Sequence, residues 1–219
     1  MRLMVGQCGD RSAVYAMTER GPIDLTDLDP SLGPDLQALI QAGGDGMARV
    51  HHLAESAGQP VEMARITPEL PLRHAGKIIC LGLNYVDHAK EGGYDVPDYP
   101  ALFMRAMTSM LPAEAPIVRP RCSERLDYEV ELMVIIGKGG RYIEQAQALD
   151  HVFGYTLFND GSVRDYQRKT HQWTPGKNFD ATGAVGPVVV TPDELPPGAR
   201  GLRIQSRLNG EVMQDANTE

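Results

Sequence analysis

The sequence has 219 residues, 42% of them hydrophobic, enough for one large domain or a medium domain with a small companion. Its 21 Lys+Arg against 29 Asp+Glu leave a formal net charge of −8, which disfavours nucleic acid and anionic membrane surfaces as partners. The three cysteines, Cys8, Cys80 and Cys122, form no CxxC pair and are expected as free thiols in a reducing cytoplasm.

Met1 to Asp10 has no apolar core or cleavage pattern of a secretory signal. The longest clearly apolar run, Leu132 to Ile136, falls far short of the ~20 residues a membrane span needs. A soluble chain is expected.

In chain order, Arg2 to Val5 and Ser12 to Met17 read as short alternating strands, followed by a turn-rich stretch with Pro22, Pro30 and Pro34. Leu36, Leu39 and Ile40 then recur at helical spacing before Gly43 and Gly44. A second helical stretch carries Met47, Val50, Leu53 and Ala54. The adjacent His51 and His52 point in different directions on that helix and read as surface residues. These elements define a small N-terminal α/β unit over residues 1–70. Ile66 to Gly76 connects it to a larger unit over residues 71–219, opened by the buried-type strand Lys77 to Leu83. Apolar runs broken by Gly, Pro and Asp give that unit a β-rich α+β character.

Asp127 to Gly137 (DYEVELMVIIG) alternates as a strand. Tyr128, Val130, Leu132, Val134 and Ile136 share one apolar face, and Asp127, Glu129 and Glu131 begin the other. Carboxylates at i and i+2 on one strand face lie about 7 Å apart and repel unless a cation sits between them. A solvated acidic face is the alternative. Asp160, in GYTLFNDGSVRD, stands where an aromatic strand reaches a turn-like Asn-Asp-Gly and can supply another acid. Glu129, Glu131 and Asp160, completed by water and substrate oxygens, make an oxygen site suited to Mg²⁺ or Mn²⁺, with Ca²⁺ a further candidate, and unsuited to Zn²⁺.

His88 and Glu91, three residues apart in NYVDHAKE, share one face of a helical turn, where the carboxylate can hold the imidazole as a general base. The same spacing also suits an ordinary surface pair. Gly92, Gly93, Pro97 and Pro100 follow and would let such a turn act as a lid. Arg164, Gln167 and Lys177 offer donors to a substrate carboxylate or a developing enolate. A nucleotide loop at Gly137 to Gly140 is disfavoured because neither a GxGxxG nor a GxxxxGK[ST] pattern surrounds it.

Taken in order, GLNYxxHxxE, DYEVEL, GYTxxNDxSxRDxQ, GKNFD and RLNGEVMQ resemble the fumarylacetoacetate hydrolase (FAH) family from about Lys77 to the end. The resemblance implies a mixed β-sandwich roll and a homodimer. It implies metal ligands at Glu129, Glu131 and Asp160, a lid dyad at His88 and Glu91, and pocket residues at Arg164, Gln167 and Lys177, with Asp127 structural. It further implies hydrolysis of a carbon–carbon bond in an acylpyruvate or related β-diketo acid. Decarboxylation or isomerisation of 2-oxo or 2-hydroxy-dienoic acids at the same site, or a non-catalytic metal-binding homologue, are the alternatives. Two departures stand out: Gly161 replaces a larger residue, and Arg105 stands where a lysine is frequent, both expected to alter substrate fit. The family's TGTP loop does not follow Thr218, so the chain is expected to be incomplete at Glu219.

Overall fold

The computed structural model describes residues 1–56, 58–85 and 98–219. A nine-stranded sheet dominates it. Its main path runs Gly21–Asp24, Arg11–Thr18, Arg2–Cys8, Val188–Val190, Val152–Asp160, Gly183–Val185, Met110–Pro112. Thr67–Pro68 pairs with the Arg2–Cys8 strand and Val130–Ile136 with the Val152–Asp160 strand. The first strand is thus central, pairing Arg2 with Val190 and Met4 with Val188. Two-stranded sheets join Ile78–Gly82 to Ala101–Arg105, Leu126–Asp127 to Ser162–Val163, and Arg203–Leu208 to Glu211–Asn217.

The helical periodicity near residue 40 becomes the helix Gln37–Ser56, broken at Gly43, whose φ of 60° only a residue without Cβ adopts freely. Leu39, Val50 and Ala54 on its inner face pack with Leu3, Val5, Val14 and Val189 in the main core. At about 25 cal/mol per Å² of apolar surface, that shared burial is what holds the helix on the sheet. Among the described residues no helix is long and apolar enough to cross a membrane, and Cys8, Cys80 and Cys122 are free thiols.

Two features depart from the sequence reading. The strand expected over Asp127 to Gly137 is interrupted at Tyr128 and Glu129, because Asp127 pairs with Ser162 while Val130 onward pairs with Val152–Asp160. Its apolar face also points outward at Val134 and Ile136, and Ile135 from the acidic side enters the core. Likewise Ile78 and Cys80 of the Ile78–Gly82 strand pack inward, while Ile79 and Leu81 are exposed and pair with the exposed Met104 and Leu102. Alternation divides a strand into faces; long-range packing decides which is covered.

Candidate carboxylate and cation site

The register of two antiparallel strands builds the site. Phe158 lies opposite Glu131 and Asn159 opposite Val130, and the Asp160 amide donates to the Glu129 carbonyl at 2.9 Å. Because faces alternate along both strands, Glu129, Glu131 and Asp160 come to one face. At the interruption, the Glu129 amide donates to Asn159 Oδ1 at 3.1 Å and the Val130 amide to Gln214 Oε1 at 3.0 Å. Side chains thereby satisfy backbone groups that the broken ladder would strand. Gln214, in the NGEVMQ segment, docks the last hairpin onto the acidic strand.

Glu129 and Asp160 are buried, Asp127 and Glu131 half-buried, and all but Glu131 are paired with cations among the described residues. Lys177, on the short Thr174–Lys177 helix, donates from Nζ to Glu129 Oε2 at 2.9 Å and to Asp160 Oδ2 at 2.7 Å. Arg164 donates from Nε to Asp127 Oδ2 at 2.9 Å, and from Nη1 to Glu129 Oε1 and to Gln167 Oε1, the latter at 3.0 Å. Ser162 Oγ adds a bond to Glu129 Oε1 at 3.2 Å. Arg105 Nη1 donates to Asp160 Oδ1. Glu131 accepts from Asn84 Nδ2 at 3.1 Å, and no cation pairs with it among the described residues.

The electrostatics follow this uneven distribution. Burial works to raise the Glu129 carboxyl, but Lys177 and Arg164 override it and hold Glu129 below the usual carboxylate range. For Glu131, burial pushes the carboxyl up to about 8, with the Glu129 and Asp160 charges adding to the rise and the Asn84 bond opposing it. Among the described residues four carboxylates, counting Asp127, thus face three cationic side chains, and the unmatched one is Glu131.

That donor set fits a hard divalent cation in chemistry: it is all oxygen and, with Glu131 ionised, one positive charge short among the described residues. It is not a ready cage. Among the described residues no three acidic, His or Cys side chains are arranged to hold an ion, and the Lys177 ammonium bridges Glu129 and Asp160. A metal at these carboxylates therefore competes with Lys177 for the same oxygens.

Of the residues predicted from sequence, Glu129, Glu131, Asp160, Arg164, Gln167 and Lys177 come together, and His88 and Glu91 lie outside the described residues. Sequence reasoning assigned no role to Ser109 and Thr182, single hydroxyls without a motif, or to Ser162, which lies within the GYTxxNDxSxRDxQ motif; all three are fully buried. Arg105, expected to alter substrate fit, is buried beneath Asp160. A groove of about 640 Å³ lies elsewhere, between Met47 and His51 on one side and Lys138 and His151 on the other, and holds none of the predicted site residues.

The family profile described as "Fumarylacetoacetate (FAA) hydrolase C-terminal" matches residues 77–219. The human mitochondrial oxaloacetate tautomerase FAHD2A is 37% identical over 201 residues, covering 90% of this chain and 63% of that protein. Among solved structures, maleylpyruvate hydrolase from Sphingobium sp. SYK-6, in complex with manganese(II) and pyruvate, superposes with a TM-score of 0.79 at 25% identity, over 100% of this chain and 77% of that one. The 5-carboxymethyl-2-hydroxymuconate delta-isomerase of Mycobacterium smegmatis superposes with a TM-score of 0.74 at 26% identity, over 99% and 75%. The chain spans 59% to 63% of the length of curated relatives it matches. With five ordered motifs, a profile covering most of the chain and the same β-rich fold, the chain belongs to the fumarylacetoacetate hydrolase family.

Proposed function

We propose that the chain is a divalent-metal-dependent hydrolase that cleaves a carbon–carbon bond in an acylpyruvate or related β-diketo acid. The observation that carries the reading is the convergence of Glu129, Glu131 and Asp160 on one face, with Glu131 lacking a cationic partner among the described residues. Glu129, Glu131 and Asp160 would hold Mg²⁺ or Mn²⁺, which when bound supplies Lewis-acid polarisation of the substrate's 2-oxo acid oxygens. The manganese and pyruvate held by the related maleylpyruvate hydrolase support both the ion and the 2-oxo acid class.

The chain's own residues supply the rest. Lys177 has three N–H donors and uses two on Glu129 and Asp160, which leaves one for an oxygen of the substrate. Arg164 uses Nε and Nη1 on Asp127, Glu129 and Gln167, so its Nη2 can take a substrate carboxylate. Gln167 fixes the guanidinium plane. His88, oriented by Glu91, takes a proton from water as that water adds to the distal carbonyl. The carbon–carbon bond then breaks with its electron pair going to the 2-oxo acid fragment, whose negative charge the Lys177 and Arg164 donors stabilise. Protonation gives the 2-oxo acid, and the other fragment leaves as a carboxylic acid.

A second reading keeps the site and changes the reaction to tautomerisation, isomerisation or decarboxylation of a 2-oxo or 2-hydroxy-dienoic acid. Its support is the 37% identity to an oxaloacetate tautomerase across 90% of the chain. Assaying acylpyruvates, oxaloacetate and hydroxy-dienoates with Mg²⁺ or Mn²⁺ separates the two. Hydrolysis predicts a carboxylic acid co-product in step with 2-oxo acid, and Glu129→Gln should lose both turnover and bound metal. Full metal content and activity in Glu129→Gln would end the metal reading.

A further inference from the structure

Arg105 lies beneath the carboxylate cluster, at the end of the Ala101–Arg105 strand, whose residues Phe103 and Arg105 turn inward. It is 3% exposed, and each guanidinium nitrogen has an acceptor. Nε reaches Ser109 Oγ at 3.2 Å, Nη1 reaches Asp160 Oδ1 and the Gly161 carbonyl, the latter at 3.2 Å, and Nη2 reaches Thr182 Oγ1 at 2.8 Å. Its Cζ stands 5.4 Å from the centre of the Phe158 ring. A guanidinium this enclosed is costly to desolvate unless its donors are matched, and here the protein matches them without any ligand.

Two glycines make the receptacle. A Cβ at Gly183 would stand 2.9 Å from Arg105 Nη2, and one at Gly161 would stand 2.1 Å from the Thr182 carbonyl oxygen. Only glycine at 161 therefore lets the Asp160–Ser162 segment close against the Thr182 backbone, which is the gap the Arg105 fork spans. Arg105 and Gly161 are parts of one arrangement.

From this geometry we infer that Arg105 is a positioning residue that fixes the Asp160 carboxylate by engaging Oδ1, so that Oδ2 is the oxygen presented toward Glu129, Lys177 and a divalent cation. The inference rests on the metal-site reading of Glu129, Glu131 and Asp160. A lysine at 105 is a compact point charge and cannot span Asp160, Gly161, Thr182 and Ser109 at once. Loosening a group that orients a metal ligand typically weakens metal affinity by about 10- to 100-fold.

The test is Mn²⁺ binding, read from the electron paramagnetic resonance of the free ion, with melting temperature followed in parallel. The proteins are wild type, Arg105→Lys, Arg105→Met, and Leu39→Ala as a destabilised control in the remote main core. The expected result is an Arg105→Lys protein that is folded and binds Mn²⁺ about 10-fold or more weakly, Arg105→Met weaker still, and Leu39→Ala with wild-type affinity at whatever melting temperature it shows. Wild-type affinity in Arg105→Lys overturns the inference, as does an equal loss in Leu39→Ala. Should both Arg105 variants fail to fold, Thr182→Val removes the Nη2 acceptor, together with the hydroxyl's bond to the Phe179 carbonyl, and should still weaken Mn²⁺ several-fold; unchanged affinity there overturns it too. Wild-type protein that binds no Mn²⁺ refutes the metal reading itself and this inference with it, an outcome separate from the others.

Discussion

Lys177 Nζ and Asp160 Oδ2 meet at 2.7 Å with side chains only 2% and 4% exposed, so neither charge can turn to water instead. Removing one member of a buried pair leaves the other charge uncompensated and costs about 3–5 kcal/mol. Lys177→Met should therefore lose about that much stability in metal-free protein, because Glu129 loses the same partner. A divalent cation held by the same oxygens would compete with the ammonium, so saturating Mn²⁺ should restore part of the loss. Urea unfolding with and without Mn²⁺ measures both; a change below about 1 kcal/mol would mean that the pair is solvated.

The core of the N-terminal sheet supplies a pH test away from the site. Tyr15 is fully buried, and its hydroxyl finds no hydrogen-bond partner among the described residues. Burial, and then the Asp24 charge, push the phenol up to about 12, above its ordinary 10.0. A group whose folded pKa is raised contributes stability fully present below the unfolded value and lost as pH rises through the folded one. Wild type should thus lose stability between about pH 10 and 12 for a reason that Tyr15→Phe lacks. At neutral pH Tyr15→Phe should be neutral or slightly stabilising, since it removes a hydroxyl with no partner. Parallel pH–stability curves decide it; identical slopes above pH 10 would count against this account.

The acidic pair Glu129 and Glu131 was legible in the sequence because a strand's period of two is local. Asp160 was legible as a candidate acid from its turn-like Asn-Asp-Gly and from the ordered motifs, but its place opposite Glu129 was not, since the pairing of Phe158 with Glu131 is a long-range register that no local pattern encodes. The interruption at Tyr128 and Glu129 was hidden for the same reason: the alternation runs straight across it, and only the pairing of Asp127 with Ser162 breaks the strand. Ser109, Thr182 and Arg105 sit in segments of ordinary composition. Their role comes from burial and mutual distance, which tertiary packing alone sets. The inward or outward choice for Val134 and Ile136 was equally out of reach, because periodicity names two faces without ranking them.

Thiol chemistry tests the packing on the other side of the cluster. Burial, followed by the Asp160 charge, pushes the Cys80 thiol up to about 12, whereas Cys122 is exposed. Since the thiolate is the nucleophile, Cys80 at pH 8 would be reactive in only about one molecule in ten thousand. Titration of native protein with an aromatic disulfide reagent should therefore show the same number of fast thiols in Cys80→Ser as in wild type, and one fewer in Cys122→Ser. Fast labelling at Cys80 would show that the Ile78–Gly82 strand is open to reagent.

Gly161 and Arg105 should be coupled in energy as they are in space. Alanine at 161 brings a Cβ to 2.1 Å from the Thr182 carbonyl, so the Asp160–Ser162 segment must back away and the acceptors of Arg105 separate. Overpacking of this kind costs about 1–3 kcal/mol, and Gly161→Ala should lower the melting temperature and weaken Mn²⁺ together. In the double variant with Arg105→Lys, the second change acts on an arrangement already broken. The combined loss of Mn²⁺ affinity should then fall short of the product of the two single losses, a coupling of about 0.5–3 kcal/mol. Affinities for wild type, both single variants and the double variant close the cycle. Strictly multiplicative losses would mean that glycine and arginine act on Asp160 by separate routes.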